Sequence, residues 1–198
     1  MNVVFDLGGV VLAWQPITIV ASVFASPADQ ALVLREVLGH RDWVELDRGT
    51  LPLDDAVARA AARTGIAPRR IEELFDAVPP ALVPMPASIE LVKAVRHAGR
   101  RLYVLSNLHR ASFAYLARTD ELFGLFDGRV VSCEVGACKP EPAIYQHLLE
   151  RHALDPLETV FVDDLQVNLD AAAAFGMRTI RFDGADACRA RLADLGCL

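Results

Sequence analysis

Cysteine is scarce in this 198-residue chain: Cys133, Cys138, Cys188 and Cys197 are all there are, and all fall in the last third. They match no CxxC pair and no Cys/His zinc spacing, so they read as free thiols and not as metal ligands or a redox motif. An excess of basic charge is also missing. Twenty Lys and Arg stand against 26 Asp and Glu, a net charge of −6 with no basic cluster, which argues against a nucleic-acid partner. No stretch approaches the ~18 uninterrupted apolar residues of a membrane span. The apolar opening from Met1 to Trp14 is broken by Asp6, has no basic residue before it and no small-residue cleavage site after it, so it reads as neither signal peptide nor span. The expectation is a cytoplasmic chain with no membrane partner and no internal repeat.

What is present is a set of short apolar, β-branched runs bounded by turn residues, as expected of strands buried on both faces of a parallel sheet. They are Val3 to Phe5, Leu102 to Leu105, Val130 to Val131, Thr159 to Val162 and Thr179 to Phe182. Helical patterns separate them: Pro86 to His97, Arg110 to Leu122, Pro142 to His152, and Val167 to Phe175 before Gly176. This alternation predicts an α/β fold with a doubly wound, Rossmann-like parallel sheet. The rhythm breaks over residues 14–83, which hold amphipathic patterns and no convincing strand. One helix is expected after Ser26 as N-cap with Pro27 in its first turn, one from Leu53 to Arg63 stopping at Gly65, and one from Pro68 to Val78 stopping at Pro79-Pro80. The prolines from Pro79 to Pro86 read as a hinge. The expected organisation is a catalytic unit of residues 1–13 and 84–198, interrupted by a helical insertion of residues 14–83.

In open α/β sheets ligands bind beyond the carboxyl ends of the strands, so the residues ending each apolar run are the candidates for chemistry. Here they are Asp6 followed by Gly8-Gly9, Ser106-Asn107, and Asp163-Asp164, with Lys139-Pro140 beyond the third strand. Three carboxylates crowded at one edge repel one another, which calls for a cation or partial protonation. Mg²⁺ suits such an oxygen-rich edge, because it takes one or two carboxylates and leaves room for water and a substrate phosphate. With Lys139 and Ser106 to hold a phosphoryl group, Asp6 is placed to attack phosphorus and form an aspartyl-phosphate.

These segments resemble the haloacid dehalogenase superfamily over nearly the whole chain. Phe5-Asp6-Leu7-Gly8-Gly9-Val10 is similar to its first motif, Leu105-Ser106-Asn107 to the second, Lys139-Pro140-Glu141-Pro142 to the third, and Val162-Asp163-Asp164 with Asn168 and Gly176-Met177 to the fourth. The resemblance implies Asp6 as nucleophile, Ser106, Asn107 and Lys139 at the substrate phosphate, and Mg²⁺ held by Asp6, the Gly8 carbonyl and Asp164. Asp163 is implied as a further ligand or as a supporting partner, and Asn168 as support for the loop. The helical insertion corresponds to the family's cap.

One position departs from the pattern. Phosphatases of this family commonly carry a second aspartate two residues after the nucleophile as general acid and base, and Gly8 stands there instead. Either another group supplies the proton, such as a cap residue or a water, or the leaving group needs little protonation. A sugar 1-phosphate fits the second case, and the chain also resembles bacterial members that hydrolyse α-glucose 1-phosphate. The expected function is Mg²⁺-dependent hydrolysis of a small phosphorylated metabolite. The alternatives are a 2-haloacid dehalogenase, disfavoured by the Asp163-Asp164 pair and by Gly8, and a non-hydrolytic phospho-ligand-binding protein. In the insertion, Asp47 and Arg48 before Gly49 are candidates to face the site, Trp43 and Leu46 are expected in a core, and His109 lies close enough to the second motif to touch a ligand.

Overall fold

The computed structural model describes residues 1–119 and 122–198. Strands β1 (Asn2–Phe5), β2 (Arg101–Ser106), β3 (Gly128–Val131), β4 (Thr159–Asp163) and β5 (Arg178–Arg181) form one sheet in the order β3-β2-β1-β4-β5, every pairing parallel. The chain winds outward from β1 through β2 to β3, then returns to the other side of β1 with β4. The strand order therefore reverses between β1 and β4, and the crevice at that switch point lies beyond Asp6 and Asp163.

The central strands β1 and β4 are buried throughout because both faces are covered, whereas the edge strand β5 carries exposed Arg178 and Arg181. Val3, Phe5, Val104 and Val162 pack on one side with residues of α6 (Pro86–His97) and α11 (Ala185–Asp194), including Leu91, Val95 and Leu192. Val4, Leu105 and Phe161 pack on the other with Ile144, Tyr145 and Leu148 of α9 (Pro142–His152) and Leu169 of α10 (Gln166–Ala173). Two further helical segments complete the sheet's surroundings. Helix α7 (Arg110–Thr119) follows β2, and the end expected for it at Leu122 crosses residues 120–121, outside those described. The four-residue α8 (Ser132–Val135) follows β3.

Between β1 and β2 the chain makes a separate helical layer with its own core. Helices α1 (Pro16–Val23), α2 (Pro27–Val33), α3 (Arg41–Arg48), α4 (Leu53–Thr64) and α5 (Pro68–Ala81) bury Val20, Val33, Leu46, Val57, Ile71, Leu74 and Val78 together. Ser26 caps α2 by accepting from the Asp29 amide, and α4 ends at Gly65 with φ +73°. Helix α5 corrects one expectation: it does not stop at Pro79-Pro80 but carries both prolines in its last turn. Burial of Val78 and Pro79 against neighbouring side chains outweighs the lost amide donors there, a tertiary override of local propensity. The prolines accordingly form no hinge by themselves. The outgoing chain near Leu12 runs antiparallel to the returning chain near Pro84, tied by Ala13 N–H to the Val83 carbonyl and Met85 N–H to the Val11 carbonyl, both 2.9 Å. The helical layer thus hangs on a paired two-strand neck. Among the described residues no helix is long and apolar enough to cross a membrane, and all four cysteines are free and buried.

Candidate active site

Asp6 ends β1 with its amide donating to the Val162 carbonyl, which sets it beside Asp163 at the end of β4. Lys139, carried by the loop between α8 and α9, reaches between them. Its Nζ lies 2.8 Å from Asp6 Oδ1 and 2.7 Å from Asp163 Oδ2, and Asp6, Lys139 and Asp163 are 7 %, 5 % and 0 % exposed. Burial opposes the charge on Lys139, but the two carboxylates outweigh it and hold the ammonium above its ordinary range. Asp6 is pushed up to about 6 by burial, with the Asp163 charge adding and Lys139 opposing. Asp164 is raised by the same two causes, burial and then Asp163.

Asp163 has little acceptor capacity to spare. Besides Lys139 it accepts from the Leu165 amide at 2.8 Å and from Asn168 Nδ2 at 2.9 and 3.1 Å on its two oxygens. Asn168, expected to support this loop, is itself fixed because its carbonyl accepts from the Tyr145 hydroxyl. Asp164 is half-buried, and the chain leaves it room only through Gly9. That residue has φ +80°, and a Cβ there would fall 2.7 Å from Asp164 Oδ2. Oxygen atoms of Asp6, Asp163 and Asp164 lie within 4.8 Å of one another. Three buried or half-buried carboxylates around one ammonium leave an excess of negative charge, so this donor set fits a hard divalent cation.

The second and third predicted motifs are tied to each other. Asn107 Oδ1 accepts from the Lys139 amide at 2.8 Å, and Asn107 Nδ2 donates to the Lys139 carbonyl at 3.0 Å. Ser106 sits at the end of β2, buried, with only a 3.5 Å contact from its hydroxyl to the Asn107 carbonyl.

A cavity of about 280 Å³ opens over these groups. Asp6, Gly8, Asn107, Lys139, Asp164 and Asn168 form one end, whereas Ser106 and Asp163 stand behind the lining. The other walls are apolar and come largely from the helical layer: Leu12 and Trp14 at the neck, Trp43 on α3, Val78 and Leu82 at the end of α5, with Leu108 opposite. Trp43 organises this wall, with Trp14 at 5.9 Å, Phe75 stacked at 5.7 Å and His109 edge-on at 5.6 Å.

Asp47 and His109, candidates from the sequence, both reach the cavity. Asp47 is half-buried, and the His109 amide and the Trp43 side chain one helical turn earlier favour its charged form, yet desolvation prevails and pushes its carboxyl up to about 7. Burial drives His109 down to about 4, which keeps the ring neutral at ordinary pH, and it shares a 2.9 Å hydrogen bond with Ser112. Arg48 turns away to make a two-pronged ion pair with Glu141, 2.6 Å on each arm. Gly49, φ +79°, ends α3 where a Cβ would meet the Cys133 carbonyl at 2.9 Å. The residues missed by sequence reasoning are Trp14 and Ser112, together with the lining role of Trp43. The available signal was the four-residue spacing of Trp43 and Asp47, which puts both on one helix face.

Residues 1–176 match the model of the haloacid dehalogenase-like hydrolases. The chain is 28 % identical over 177 residues to the sesquiterpene phosphatase astK of Aspergillus oryzae, covering 88 % of this chain and 85 % of that protein. It is 35 % identical over 154 residues to enolase-phosphatase E1 of Frankia alni, covering 76 % of this chain and 60 % of that one. A HAD family enzyme of Bacteroides thetaiotaomicron, solved in complex with magnesium and inorganic phosphate, superposes with a TM-score of 0.68 at 19 % identity, covering 91 % of this chain and 92 % of the other. The likeness to that structure is one of fold. With four motifs gathered at one sheet edge and the match spanning nearly its full length, the chain belongs to the haloacid dehalogenase-like hydrolases.

Proposed function

We propose that the protein is a Mg²⁺-dependent phosphatase that works through an aspartyl-phosphate on Asp6. The observation carrying this reading is the buried Lys139 ammonium bridging Asp6 and Asp163, with Asp164 alongside, at one end of the cavity. Asp6, Asp164 and the Gly8 carbonyl are the groups to hold the ion, while Asp163, already saturated by Lys139, Asn168 and Leu165, aims the lysine. Bound there, Mg²⁺ would offset the excess carboxylate charge and polarise phosphoryl oxygens. Lys139 neutralises the incoming phosphate and keeps the Asp6 oxygen oriented, Ser106 and Asn107 support the phosphate from the end of β2, and Asp6 attacks phosphorus as the alcohol leaves. The helical layer acts as a cap that excludes water and shapes specificity.

The apolar walls favour a compact phosphate ester of an apolar alcohol. A sugar would bury several hydroxyls against Trp14, Trp43, Val78 and Leu82, with Asp47, His109 and Ser112 the polar groups on that side to meet them. The similarity to a phosphatase named for sesquiterpenes supports the same choice. The decisive experiment is phosphate release from prenyl, alkyl and sugar phosphates with Mg²⁺ or with EDTA, run beside Asp6→Asn. Mg²⁺-dependent turnover lost in the variant is expected. Turnover that survives EDTA would overturn the metal-dependent scheme and restore the dehalogenase alternative.

A further inference from the structure

The carboxylate missing at position 8 has a counterpart across the cavity. Gly8 is not required by its backbone, since it has no positive φ, and a Cβ there would meet only Trp14 Cβ at 3.8 Å. The space that a side chain would occupy opens into the cavity, whose opposite wall carries Asp47. We infer that Asp47, brought from the helical layer by α3, is the proton donor and acceptor of the reaction, taking the part of the acid–base group that Gly8 cannot play.

Three independent features place it. Asp47 lines the same cavity as Asp6 and Gly8, with Trp43 and His109 beside it in the wall and favouring its charged form. Its own carbonyl accepts from Ser132 Oγ at 2.6 Å, and that same hydroxyl accepts from the Leu108 amide at 2.9 Å, so the helix is pinned to the loop that follows β2. Next in sequence, Arg48 clamps Glu141 two residues beyond Lys139, and Gly49 permits close approach to Cys133. Asp47-Arg48-Gly49 is thus a seat that holds a carboxyl of the helical layer in the wall of the cavity that Asp6 also lines. Among the described residues Asp47 forms no ion pair: burial pushes the nearby Cys133 and Cys138 thiols up to about 11 and 12, His109 is neutral, Arg48 is spent on Glu141, and the Arg110 guanidinium lies against Gly49 and Cys133. With burial holding its carboxyl near neutrality, it can lend and recover a proton.

The inference rests on the aspartyl-phosphate reading. In the first step an Asp6 oxygen bonds to phosphorus, the bond from phosphorus to the substrate oxygen breaks, and the Asp47 proton passes to that oxygen, releasing a neutral alcohol. In the second, the Asp47 carboxylate takes a proton from water as the water oxygen bonds to phosphorus. The bond to Asp6 then breaks, phosphate departs, and both aspartates return to their starting states.

The test compares an alkyl phosphate with p-nitrophenyl phosphate in the Mg²⁺-loaded wild type, Asp47→Asn, Asp47→Ser and Asp6→Asn, with acid-quenched ³²P labelling. The Asp47 variants are expected to lose ~10²- to 10⁴-fold in kcat on the alkyl ester. With p-nitrophenyl phosphate, whose leaving group needs no proton, they should release one equivalent of nitrophenol in a burst and then stall as labelled phosphoenzyme. Equal losses on both substrates without burst or label, or undiminished alkyl turnover, in whichever variant melts with wild type would overturn the assignment. Failure of the underlying reading looks different: wild type itself would carry no label that Asp6→Asn removes.

Discussion

On the sheet side of the cavity the buried charged groups are gripped by other polar groups: Lys139 by Asp6 and Asp163, Asp163 by Asn168, and the Lys139 backbone by Asn107. On the helical side the wall is a stack of Trp14, Trp43 and Phe75 over an aliphatic core, held to the sheet unit by the Arg48–Glu141 ion pair, the Ser132 hydrogen bond, the packing of Trp43 on His109 and the neck. The first side is a fixed constellation that dictates one chemistry. The second is a packed surface that sets which molecule reaches it. Asp47 is the exception, a chemically active group carried by the packed side.

The comparison breaks first at the nucleophile. Asp6→Asn should reduce turnover by ~10⁴-fold or more on every substrate, because no neighbouring group can take its place, and initial rates at saturating Mg²⁺ measure it. Within the helical layer, Leu74 is fully buried, and Leu74→Ala should cost ~2–5 kcal/mol in denaturant unfolding, whereas sheet positions are untouched by the change. A first transition assigned to the helical layer by Trp43 fluorescence would show that the two sides unfold separately.

Acid sharpens the comparison. His109 has a folded-state pKa of about 4 against an ordinary 6.5, so the unfolded chain binds more protons and the histidine's contribution is lost as pH falls from 6.5 toward 4. Asp47 runs the other way: its raised folded-state value of about 7 adds stability at low pH that is lost as pH rises through 7. The two nearly cancel in wild type between pH 4 and 6.5. In His109→Gln the compensation disappears, and the variant should gain up to about 3 kcal/mol relative to wild type on acidification from pH 6.5 to 4, measured as a difference of denaturant midpoints. A constant difference across that range would reject the neutral buried histidine. The smallest effect belongs to the ion pair. Arg48 and Glu141 are partly exposed, so Arg48→Ala should cost under ~1 kcal/mol, seen as a few-fold rise in KM that high salt reproduces in wild type.

The two sides were also unequally legible. A strand buried on both faces writes its burial directly as an apolar run, so the residue at which the run stops, Asp6 or Asp163, announces itself as the occupant of the strand end. Asp163 and Asn168 are five residues apart and find each other within one loop and helix start. Helix α3 is the contrary case. Arg41–Arg48 is mostly charged, and what seats it is Ser132 and Glu141, both distant in the chain, so the run before Gly49 made Asp47 and Arg48 equal candidates to face the site, and only Asp47 lines the cavity. Pro79-Pro80 failed as a stop signal for the same reason: packing of Val78 and Pro79 decided the outcome, and local propensity carries no record of it. The lining role of Trp14 depends on the neck that brings Leu12 to Pro84, a pairing across most of the helical layer.

Asn107 joins the end of β2 to the amide and the carbonyl of Lys139, so the strand end and the lysine-bearing loop are one mechanical piece. Trp14, Val78 and Leu82 line the cavity without belonging to that piece. The hydrolytic step is insulated from the history of the cap: new leaving groups can be recruited by repainting one wall, while the phosphoryl-handling parts stay in register. Asp47 limits this freedom, because a cap that drifts too far would carry the proton away with it.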